Sequence, residues 1–131
     1  MPRLTGYPNG LSTFVVDTQA VAKTANYTII ITTDSGKTFT SKLDGMVFTL
    51  PSIAIGNTVT IVNTAPSGTA GISISPAALD GITYAGSSTD NKDLINTKAT
   101  AKYGDSVTLA SLDGVVAWQV VDARGVWAKE A

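Results

Sequence analysis

Apolar and polar residues alternate along most of this chain with period two, the pattern of strands that have one dry and one wet face. In the last third, Val107 and Leu109 alternate with Ser106, Thr108 and Ala110. Leu112-Asp113-Gly114 then supplies a Gly-containing turn, and Val115 to Asp122 continue as a β-branched run carrying Trp118. Two such runs joined by a short Asp-Gly loop predict a hairpin, which needs a larger sheet to pack on. The same alternation and β-branched enrichment predict strands over 27–33, 37–42, 46–50, 58–63 and 71–75, then 106–111 and 115–122. Asp34-Ser35-Gly36, Asp44-Gly45, Gly56-Asn57 and Asp80-Gly81 punctuate the chain as turns. Pro51 and Pro76 stop two of the ladders. The parity of the runs points Phe39, Phe48, Val59, Ile61, Ile72, Ile74, Val107, Leu109 and Trp118 inward.

Turn signals every eight to twelve residues, with no strand alternating with a convincing helix, predict an all-β antiparallel sandwich or barrel. Residues 1–26 read as an extended N-terminal arm and lead-in, and residues 27–131 as the β domain. Within the arm, Pro2, Pro8 and Asn9-Gly10 punctuate the chain, and Leu11 to Val16 is a candidate first strand. Asp17 to Asn26 is the one stretch with some helical character. The pattern is weakest over 85–101, where Gly86 to Asp93 reads as an exposed loop.

Composition narrows the function classes. The 131 residues suffice for one domain with its own core. Only 15% of them are charged, against about 25% in an ordinary globular protein. The polar surface is therefore largely Thr, Ser, Asn and Gly. A net charge of −1 gives no basic stripe for nucleic acid, and no basic amphipathic segment suits a membrane surface. With no Cys and no His, disulfides, Cys/His zinc sites and Ser-His-Asp or Cys-His catalysis are excluded. There is no apolar run of signal-peptide or membrane-spanning length, which predicts a chain made in a cytoplasm.

Four constellations carry residue types suited to chemistry. Gly36-Lys37-Thr38 resembles the tail of a phosphate-binding loop, but Ile31 stands where that loop needs Gly, so a structural turn is expected. Asp90, Asn91 and Asp93 could ligate a cation, but lack the Gly and distal Glu of a calcium loop, so a solvated loop is expected. Asp34, Asp44, Asp80 and Asp113 sit at turns, where backbone chemistry accounts for them; no catalytic pair and no cofactor site are expected. Trp118 is expected in the core, whereas Trp127 is open between the core rim and a partner contact.

The run FTLPSIAIGNTVTIVNTAPSGTAGISISP, followed by GDSVTLASLDGVVAWQVV, resembles a module of tailed-bacteriophage virion proteins. Its shape is Thr-Leu-Pro, Gly-x-x-Val-x-Ile-x-Asn, Ile-x-Pro, Gly-Asp-x-Val-x-Leu and Asp-Gly-x-x-x-Trp-x-Val, and the likeness spans Tyr27 to Trp127. A compact domain with an arm is most similar to the small capsid decoration (cement) proteins, which implies a jelly-roll or β-tulip-like domain. The resemblance implies a non-enzymatic structural protein on the virion capsid surface, bound to the major capsid protein and clamping its neighbouring subunits. A homo-oligomer, dimer or trimer, on the capsid lattice is the expected form, with no nucleic-acid or membrane partner. The candidate contacts are Arg3, Leu4, Tyr7, Leu11 and Phe14 of the arm, with Trp127. The alternative is a receptor- or glycan-binding head or tail fibre module, using Tyr84 and the loop over residues 86–93.

Overall fold

A computed structural model describes residues 20–113 and 117–131, with the side chain of Ile31 excepted. The chain forms the all-β sandwich expected, with two sheets enclosing one core. Strand β1 is Ala20–Ala22, β2 Tyr27–Thr28, β3 Thr38–Ser41, β4 Met46–Thr49, β5 Thr58–Asn63 and β6 Ile72–Ser75. Then come β7 Gly81–Thr83, β8 Leu94–Asn96, β9 Ser106–Ala110, β10 Ala117–Arg124 and β11 Ala128–Lys129. One helical turn, α1 (Ile31–Asp34), and a 3-10 turn (Lys98–Thr100) interrupt them. The first sheet runs β1-β3-β5-β9-β10-β7 and the second β11-β8-β6-β4-β2.

From β1 to β9 the chain changes sheet with every strand. From β1 to β6 each short turn is thus an arch between the two sheets, and neighbours within a sheet come from every second strand and run the same way. Hence β1, β3 and β5 pair in parallel in the first sheet, as do β2, β4 and β6 in the second. The expected antiparallel neighbours occur at β5/β9, β9/β10, β6/β8 and β8/β11, while β7 lies parallel to β10. A strand-turn-strand pattern cannot distinguish an arch from a hairpin, because both need only alternation and a tight turn. The hairpin expected in the last third does form, as β9 against β10, with a bulge between Val120 and Asp122. Gly114, in its turn, lies outside the described residues.

Strand pairing stacks the inward residues into rungs. Val21, Phe39, Ile61 and Val107 lie abreast across the first sheet. Tyr27, Phe48, Ile74 and Leu94 do so across the second. Phe39 and Phe48 meet across the sandwich with ring centroids 6.1 Å apart. All nine residues expected inward are buried. Each such Leu, Ile, Val or Phe contributes roughly 1.5–3 kcal/mol by leaving water.

Two local expectations are corrected. The run from Tyr27 to Thr33 does not remain a strand: it pairs only through Thr28, then coils into α1. The turn is fixed because the Asp34 carboxylate accepts hydrogen bonds from the Ile30 amide (2.8 Å) and the Tyr27 hydroxyl (2.6 Å). Crossing from β2 to β3 thereby overrides β-branched propensity. The helical character over 17–26 gives way, within the described part, to strand β1, which pairs with β3; the β domain therefore extends to Ala20. Leu11 to Val16, the first candidate strand, lies outside the described residues.

Candidate functional site

The arches place the loops at two ends. At the Asn63 end lie residues 23–26, 42–45, 64–71, 97–105 and 125–127; at the Ala20 end lie 29–37, 50–57, 76–80 and 111–113.

The Asn63 end is closed by a buried polar network. Asn63 Nδ2 donates to Asn96 Oδ1 (2.8 Å) and to the Ala70 carbonyl (3.0 Å), and Asn63 Oδ1 accepts from the Ala65 amide. Asn96 Nδ2 donates to Asp105 Oδ2 (3.0 Å) and to the Val126 carbonyl (3.1 Å). Asp105 also accepts from the Lys102 amide, and Gly125 lies so close that a Cβ there would collide with its carboxylate. The network ties both sheets to three loops. Sequence reading missed it, although parity held a signal: Asn63 follows Val59 and Ile61 on the inward face, and Asn96 follows Leu94.

Most positions of the sequence motif quoted above are thereby accounted for as structure. Val59, Ile61, Val107, Leu109 and Trp118 are core; Asn63 and Asp105 belong to the network; Gly56 and Gly104 have φ of +89° and +92°, which suits Gly. Trp127 too is taken up by the fold. It is buried, and its indole N–H donates to the Arg124 carbonyl at 2.9 Å, so the structure places it in the core rather than on an open surface. Arg3, Leu4, Tyr7, Leu11 and Phe14 lie outside the described residues.

The Gly36-Lys37-Thr38 segment is a turn running into β3, with Gly36 at φ +83°. Elsewhere, Lys23 sits over the Tyr27 ring, 3.7 Å from its centroid. The hydrogen bond to Asp34, aided by burial, pushes the Tyr27 hydroxyl up to about 12. Asp34 is spent on closing α1, with Lys37 3.9 Å away. In the 86–93 loop, Asn91 accepts from the Leu79 amide and the Asp93 carbonyl from the Glu130 amide. No cluster of three acidic side chains suited to a metal occurs among the described residues. Tyr84 is half-buried against the core.

Exposed large apolar residues occur at both ends, Leu43, Tyr103 and Val126 at the Asn63 end, but the Ala20 end carries more of the aliphatic ones. Its loops carry Ile30, Ile55, Leu79 and Leu112, all large, aliphatic and exposed, with Leu79 78% and Ile55 71% open to solvent. The loops are stitched together by hydrogen bonds. The Gly56 amide donates to the Ser111 carbonyl, and the Ser111 amide to Asn57. The Ile53 amide donates to Asp80 Oδ2, and the Gly36 amide to the Thr58 carbonyl. Leu79 holds φ +70°, a left-handed conformation that costs a Leu about 1–2 kcal/mol. Leu79 thus displays an aliphatic side chain to water from backbone that disfavours it. The described chain begins at this same end, at Ala20.

No protein-family model matches the chain, and no curated protein matches it. No helix among the described residues is long and apolar enough to cross a membrane.

Proposed function

We propose that this chain is a structural, non-enzymatic virion protein that binds the outside of a phage capsid and clamps neighbouring major capsid subunits, as part of a homo-oligomer. The observation that carries the reading is the Ala20 end: four exposed aliphatic side chains on mutually bonded loops, one of them on strained backbone. The motif resemblance supplies the virion class. Low charge content suits a contact that is apolar and hydrogen-bonded, and therefore weakly dependent on salt. A copy that touches two subunits gains effective concentration from the second contact, so a modest interface suffices to hold a lattice.

The test is co-sedimentation of the purified protein with empty capsids, with free capsid subunits and with cell-surface polysaccharide. Retention on capsids alone, lost in a Leu79→Asp, Leu112→Asp variant that still folds, is the expected result. Binding to polysaccharide and not to capsids would favour the receptor-binding reading. Unchanged capsid binding by the double variant would remove the Ala20 end as the contact.

A further inference from the structure

Strand β10 is longer than the neighbour that covers it. Strand β7 pairs with it only at Ala117, Trp118 and Gln119. The chain then turns back at Ala85 and Gly86, with φ of +52° and +83°, held by the reciprocal bonds between Tyr84 and Ser87. From Val120 to Arg124, β10 keeps β9 on one side and has no strand on the other among the described residues. This open edge lies in a groove of about 450 Å³, walled by Thr83, Tyr84 and Ala85 and floored by Gln119 to Ala123. Tyr84, Val120 and Ala123 are half-buried residues that pack on the margin of the core, so the core is unfinished at this place. Val121, on the rim, is 53% exposed. An unpaired strand edge beside an open groove of mixed polar and apolar lining is the arrangement that accepts an added strand.

The chain carries a segment suited to strand addition outside the described residues: Leu11 to Val16, uncharged and rich in β-branched residues, alternating in part between apolar and hydroxyl side chains. Within its own fold it cannot reach the groove. Five inter-strand steps of ~4.8 Å, about 24 Å in all, separate β1 from the open side of β10. The chain from Val16 to Ala20 spans at most ~14 Å when fully extended. We infer that Leu11–Val16 of a second copy of this chain adds as a strand to the open edge of β10, beyond the tip of the β7 turn. The contact is then reciprocal in a dimer, or head-to-tail in a closed ring. This inference rests on the fold and not on the virion reading: its failure would remove the homo-oligomer from that reading but leave the capsid contact, which co-sedimentation tests separately, untouched.

The chain has no Cys, which permits a clean cross-linking test on the full-length protein. Copies carrying Val121→Cys are mixed with copies carrying Ser12→Cys or Phe14→Cys and oxidised. A covalent dimer formed several-fold more in the mixture than by either variant alone is expected. A chain carrying both Val121→Cys and Ser12→Cys should cross-link between copies. Separately, Val121→Lys should shift the full-length protein from oligomer to single chain in sedimentation while its circular dichroism stays native. A wild-type protein that is a single chain at hundreds of micromolar would overturn the proposal. So would absence of cross-linking in the mixtures, or a doubly substituted chain that closes only on itself.

Discussion

Asn96→Ala tests whether the Asn63 end is held by the buried network. Asn96 is fully buried, and its amide makes three bonds: one from Asn63, one to Asp105 and one to the Val126 carbonyl. A typical hydrogen bond contributes about 0.5–1.5 kcal/mol net, and one to a charged group about 1.5–3. Two neutral bonds and one to the Asp105 carboxylate therefore sum to roughly 2.5–6 kcal/mol. Asn63 Nδ2 keeps the Ala70 carbonyl and Asp105 keeps the Lys102 amide, so neither is stranded, which favours the lower half of that range. A loss of about 3–4 kcal/mol is expected, a large share of the 5–15 typical of a domain. The assay is equilibrium urea unfolding followed by tryptophan fluorescence, with the m-value as a check on two-state behaviour. Asn57→Ala, which removes one exposed bond to the Ala54 carbonyl, serves as the control and should cost under about 1 kcal/mol. A loss below about 1 kcal/mol for Asn96→Ala would show that the network does not hold the arches together.

Leu79→Gly should leave stability unchanged or raise it by about 1 kcal/mol, because Gly accepts the positive φ freely, while capsid binding falls; equal binding would separate the strain from the contact. Tyr27 is raised above its ordinary value by its bond to Asp34, so its contribution is full below pH 10 and is lost as pH climbs towards about 12. Tyr27→Phe should therefore flatten the alkaline fall of the unfolding midpoint, and an identical fall in both proteins would count against that bond. Asp44 is held below 3.8 first by the Gly71 amide and then by Lys98, so its contribution is present above that value and lost as pH falls further. Asp44→Asn should shallow the acid limb of a thermal unfolding series, and an unaltered limb would contradict it.

What the sequence disclosed depended on the physics of each element. The inward faces of β4, β5, β6 and β9 were readable residue by residue, because period-two burial leaves its mark wherever four or more residues alternate. Strands β7, β8 and β11 have only two or three residues, too few for a period to show. The coil at α1 was hidden because its cause is a carboxylate reaching back from Asp34 to Ile30 and Tyr27. Parallel pairing was hidden because an arch and a hairpin share one local signature. The Ala20 end was beyond sequence reading altogether. Ile30, Ile55, Leu79 and Leu112 are spread over more than eighty residues, and only the arches bring their loops to one end.

The most direct test of the capsid reading compares DNA-filled particles with and without the protein, heated at low and at high salt. A ligand that binds only the assembled lattice stabilises it by mass action, and many copies each adding about 1 kcal/mol give a large bias against disassembly. The account predicts that the protein raises the temperature of DNA release, and by nearly the same amount at both salt concentrations, since few charges are available to the contact. Release at the same temperature with and without the protein would contradict it.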